Sequence, residues 1–101
     1  MVIVKVTFKI STNQDLDSLT KKFMENAEMY RSTEGLIRKN YICDIENSLA
    51  GGIYCFDTRV SAEKWFNNER IQWLKERYSE PEIQYFENPI IVDNKNGEII
   101  H

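Results

Sequence analysis

Arg38 and Asn40 stand among apolar residues in GLIRKNYICDIENSLAGGIYCFD, residues 35–57. On a strand they share one face with Leu36 and Ile42, and across a hairpin with Ile53 and Cys55. An arginine and an amide in such surroundings could bind an anionic or carbonyl oxygen in a pocket. An arginine at a sheet rim, its head in water, accounts for Arg38 as well. Tyr41 and Tyr54 fall on the opposite face. With a turn centred on Asn47-Ser48 they face each other, near Lys39 and Phe56. Such a pair stabilises a sheet by itself, and could also donate phenolic hydrogen bonds to a substrate oxygen. Farther on, Trp65 and Trp73 could wall an aromatic-ligand pocket together with Ile42 and Ile53, or simply fill a core.

Other chemistry is poorly supplied. The single histidine is His101, the last residue, so neither a haem ligand nor a Ser-His or Cys-His pair is in prospect. Cys43 and Cys55 do not make a zinc site or a disulfide framework, and their spacing sends the thiols to opposite faces. No Gly-rich phosphate loop and no flavin or nicotinamide fingerprint is present. The expectation is no cofactor and no metal. Asp44 and Glu69 are the nearest carboxylates for a general base, and both read as solvated.

The elements that position these residues follow from periodicity. Residues 2–10 alternate as a strand, with Val2, Val4, Val6, Phe8 and Ile10 on one face. Leu16, Leu19, Phe23, Ala27 and Tyr30 form a helical stripe over about 15–33, ended by Gly35. Residues 35–57 form a hairpin, and Gly51-Gly52 suggests a bulge or the close approach of another backbone. Thr58 caps a helix over 59–78 whose stripe changes phase at Asn67-Asn68-Glu69, which predicts a break. Residues 82–87 read as a strand, Ile90-Ile91-Val92 as a short extra one, and Asn96-Gly97 as a hairpin turn.

The chain of 101 residues makes one domain, with a formal net charge of −3 and no basic stripe. Nucleic acid is not an expected partner. The N-terminus is interrupted by Lys5 and Lys9, and no stretch has the length of a membrane span. A reduced, cytoplasmic protein is the expectation. The order β-α-β-β-α-β gives an α+β, ferredoxin-like subunit with both helices on one sheet face. The other face is left bare, which predicts a homodimer joined sheet to sheet.

Gly35-Leu36-Ile37, Lys39, Ala50-Gly51-Gly52-Ile53-Tyr54, Phe56 and Ser61-Ala62, with the closing YFENPI at 85–90, resemble the YdhR-like family of mono-oxygenases. That family is grouped with the dimeric α+β barrels and the antibiotic-biosynthesis mono-oxygenases. The resemblance implies a dimeric barrel, a pocket between helices and sheet, and mono-oxygenase activity. Arg38 and Tyr41 stand where the family usually has tryptophans, and Glu69 where it commonly has a histidine. Oxygenation here would be cofactor-independent, on a small aromatic or polyphenolic compound, with Arg38, Asn40 and Tyr41 or Tyr54 stabilising the anion. A non-catalytic small-molecule binding or sensing dimer is the alternative, and a cofactor-free isomerase or lyase a third reading.

Overall fold

The computed structural model describes all residues 1–101. β1 (Val2–Lys9), α1 (Leu16–Ala27), β2 (Leu36–Asp44), β3 (Leu49–Phe56), α2 (Arg59–Trp65), α3 (Asn68–Arg77) and β4 (Glu82–Glu87) form the body. β5 (Ile91–Asp93) and β6 (Glu98–Ile100) form a separate two-stranded hairpin. The body's sheet is antiparallel in the order β2-β3-β1-β4. This is the ferredoxin-like arrangement that the element order predicts. No helix is long and apolar enough to cross a membrane.

The core lies between the helices and one sheet face. Val2, Val4, Val6 and Phe8 bury their side chains against Leu19, Phe23, Tyr30, Ala62, Phe66 and Leu74. Burying each such apolar side chain is worth roughly 1.5–3 kcal/mol. Leu16, assigned to the helical stripe by its spacing, is 59% exposed instead. It is the first residue of α1, a turn below the point where the stripe meets the sheet. The single helix expected over 15–33 divides at Ala27, and a short 3-10 helix, Glu28–Ser32, carries Tyr30 inward.

Caps set the helix starts. Asp15 and Ser18 make a reciprocal capping box for α1, with the Ser18 N–H donating to Asp15 Oδ1 at 2.8 Å. Thr58 caps α2, its Oγ1 accepting from the Ser61 N–H at 3.1 Å. Phe66 (φ −86°, ψ 53°) leaves the helical region, and Asn67 recaps α3 by accepting from the Arg70 N–H at 2.9 Å. The predicted phase break is therefore a true restart.

The hairpin register differs from the expected one by two residues. Asp44 pairs with Leu49, closing a four-residue turn rather than one centred on Asn47-Ser48. The Asp44 carboxylate accepts from both the backbone and side-chain amides of Asn47, which fixes this longer turn. Tyr41 consequently pairs with Gly52, and Lys39 pairs with Tyr54, so the two tyrosines are not directly opposed. A shift of two keeps every side chain on its face. An irregularity between Leu36 and Arg38 does not: Leu36 pairs with Phe56 and packs toward the core, away from Arg38.

Gly51 answers to a close backbone approach, not a bulge. A Cβ there would lie 1.8 Å from the Val6 carbonyl oxygen of β1. At Gly52 a Cβ would meet Lys39 Cε at 2.9 Å, so the missing side chain is the space that the Lys39 stem occupies.

Candidate functional site

The strand alternation of β2 divides the sequence-predicted residues between two faces. Arg38 and Asn40 are exposed on the outer face, where with Ile3, Ile53, Cys55 and Ile90 they line an open cavity of about 260 Å³. Ile42 pairs with Gly51 on the same face but does not reach that cavity. Tyr41, Tyr54 and Trp73 line a cavity on the helix side. Trp65 packs edge-on to Tyr30, their ring centres 5.6 Å apart. Asp44 is exposed in the turn and Glu69 is exposed on α3, and neither lines the helix-side cavity.

Lys39 is the residue that sequence reasoning passed over. It lies between Arg38 and Asn40 but on the other face, aimed among three tyrosines. Its Nζ sits 3.6 Å from the Tyr30 ring centre, 3.7 Å from Tyr41 and 4.6 Å from Tyr54. None of the salt bridges includes it. The ring faces attract an ammonium by roughly 0.5–2 kcal/mol each. Burying an unpaired charge costs several kcal/mol, and burial wins. Burial, helped by the positive charge of Arg70, holds the Lys39 pKa down to about 6. At neutral pH the amine is mostly uncharged and can accept a proton.

The phenols around it move the other way. Burial pushes Tyr54 well above the ordinary tyrosine range, with the nearby Tyr30 adding to the effect. Tyr30 is also raised by burial, in part offset by a hydrogen bond with Tyr54. Burial raises Tyr41 strongly, and its hydroxyl lies 2.6 Å from the Asn26 amide. The amide orientation that satisfies all its neighbours turns the Asn26 nitrogen to Tyr41 and Phe23, and its oxygen to Arg77 Nε. The cluster therefore offers one base and several fixed donors.

Space around the cluster is uneven. The helix-side cavity holds about 10 Å³, room for one water. Beside it, a groove of about 440 Å³ opens between the 3-10 helix and the α2–α3 break, lined by Met29, Thr33, Ser61, Lys64, Trp65 and Arg70 among others. Trp65, whose buried Nε1–H has no hydrogen-bond partner, stands between the groove and Tyr30.

A family model described as "Putative mono-oxygenase ydhR" matches residues 3–88. Among solved structures, a "putative antibiotic biosynthesis monooxygenase" from Deinococcus radiodurans superposes with a TM-score of 0.67 at 16% identity, over 92% of this chain and 97% of that one. A protein of unknown function from Nitrosomonas europaea gives 0.68 at 14% identity, over 87% and 88%. A point variant of SnoaB, a cofactor-independent oxygenase from Streptomyces nogalater, gives 0.63 at 11% identity, over 87% and 92%. At these identities the structures establish the shared fold. No curated protein matches the chain.

Proposed function

The chain belongs to the YdhR family, and from that premise we propose that it is a cofactor-independent mono-oxygenase acting on a small phenolic or polyphenolic compound. The carrying observation is Lys39, an amine held near pKa 6 among protonated phenols. The substrate lies in the groove against Trp65, and its reactive carbon reaches Lys39 when the indole, which no hydrogen bond pins, swings aside. The neutral amine takes one of the two protons of an activated methylene, such as that of an anthrone. The resulting carbanion is stabilised by the lysine ammonium and by Tyr41 or Tyr54 donors, and passes its electrons to O₂. Carbon–oxygen bond formation and return of the proton give a hydroperoxide, whose loss of water leaves a carbonyl. One oxygen atom enters the product and the other leaves as water, with all reducing electrons drawn from that carbon.

The test is oxygen uptake by metal-free protein with a panel of anthrones, quinols and flavonols, beside a folded Lys39→Met variant. Uptake above the spontaneous rate that Lys39→Met abolishes supports the reading. Uptake unchanged in that variant removes Lys39 from it. Saturable binding without uptake would favour a binding or sensing protein. The same amine also suits a cofactor-free isomerase, which would show solvent-deuterium exchange into substrate without oxygen consumption.

The outer sheet face supports the homodimer reading. Ile3 and Ile53 lie there beside Phe86, which is 48% exposed, and the β5–β6 hairpin adds exposed Val92 and Ile99. In this reading Arg38 and Asn40 face the second copy across the 260 Å³ cavity, closing a barrel. Light scattering that finds a monomer at micromolar concentration removes it. The free thiols of Cys43 and Cys55 accord with a cytoplasmic setting.

A further inference from the structure

In the groove on the far side of Trp65 from Tyr30, two side chains, Arg70 and Trp65, carry donors that no strong acceptor meets. Arg70 stacks its guanidinium over Trp65 at 4.0 Å and lies 5.1 Å from the Trp73 ring centre. Its side chain's hydrogen bond goes to the Met29 sulfur at 3.6 Å, a weak acceptor. None of the salt bridges includes Arg70. Glu34, which lines the groove, is taken by Lys64 at 3.5 Å. Glu69, the residue before Arg70, is exposed and makes no ion pair. The buried Trp65 Nε1–H has no acceptor at all. Lys39 also lies close enough to feel the Arg70 charge. The Arg70 guanidinium, free of any ion pair, thus lies against an indole whose N–H is an orphan, while the groove's one carboxylate, Glu34, is held by Lys64.

We infer that the groove takes an aromatic carboxylate, so that the substrate of the proposed reaction is a phenolic acid whose carboxylate binds Arg70. The inference rests on that reading for the word substrate, though not for the binding itself. A carboxylate matches the guanidinium fork with two parallel hydrogen bonds. The indole walls then take the ring. A neutral ligand would leave Arg70 uncompensated. The Asn67 cap, which holds the Arg70 backbone at the start of α3, places the fork at the groove.

The experiment is calorimetric titration of the full chain, without oxygen, using 2,5-dihydroxybenzoate and its methyl ester. The acid is expected to bind at least about tenfold more tightly, the scale of one charge-assisted hydrogen bond. Arg70→Gln should erase that preference, and Arg70→Lys should keep part of it. Equal affinities, no heat from the acid, or a preference that survives in folded Arg70→Gln would overturn the inference. If Arg70→Gln does not fold, the acid–ester contrast in the unaltered chain decides. Binding without oxygen is blind to catalysis, so a failed oxygenase reading and a failed carboxylate site give different results.

Discussion

Lys39 Nζ lies 3.6 Å from the centre of the Tyr30 ring, and no carboxylate of the chain pairs with it. A lysine so placed is a liability to the fold. In the folded chain its pKa is about 6, below the 10.5 of an unperturbed lysine. Between those values the unfolded chain holds a proton that the folded chain does not, so stability rises with pH across that window.

Lys39→Met should therefore stabilise the protein at pH 7, by about 1–4 kcal/mol on the precedent of buried charges replaced by apolar groups. The advantage should shrink as pH rises toward 10, because the unaltered chain regains stability there. Urea unfolding of both proteins at pH 7 and pH 10 checks it. An advantage independent of pH would mean that Lys39 is not held neutral.

The same pKa sets a rate profile. Proton abstraction needs the unprotonated amine, so kcat/KM should climb as pH rises through about 6 and level off above it. A profile flat from pH 5 to 8 would deny Lys39 the role of base.

The two neighbouring glycines should respond differently to alanine. Gly51→Ala drives a methyl into the Val6 carbonyl, a backbone group that cannot step aside, and should cost more than about 3 kcal/mol or prevent folding. Gly52→Ala meets the far end of the Lys39 stem at 2.9 Å, which can shift, and the buried Tyr54 ring at 3.0 Å, which gives less easily. It should cost about 1–3 kcal/mol as overpacking does, and alter oxygen uptake more than stability. Thermal melts and uptake measured together separate the two effects.

Asn67→Ala should cost about 1 kcal/mol by removing the α3 cap, and Asn67→Asp should restore it. If the cap positions Arg70, the alanine variant also loses part of the acid-over-ester preference. Denaturant midpoints and titration calorimetry read the two outcomes.

Much of this fold is legible in period and punctuation. The alternation of β1 gives its buried face, and the phase change near Asn67 marks the restart of the helix. What local sequence does not carry is the distance between elements. Asp44 binding Asn47 lengthens the turn, and nothing short of that contact sets the register. Lys39 was within reach of the pattern, since it shares a face with Tyr41 and Cys43 on the strand. Its burial depends on the space left by Gly52, diagonally across on β3, and on the 3-10 helix that lays Tyr30 over it. Arg70 is harder still, because its direction follows only from where α3 restarts.

The Asp44 turn recurs in the tail, where Asn96 binds Asp93 in the same way and Gly97 takes the positive φ that Ser48 takes in the body. Such a loop is tolerant of change where the strand beside it is not. Residues added between Asp44 and Leu49 leave the pairing of β2 with β3 intact, and with it Lys39 toward the tyrosines and Arg38 toward the far side. A residue added within β2 would trade those roles, unless an irregularity such as that between Leu36 and Arg38 absorbed it.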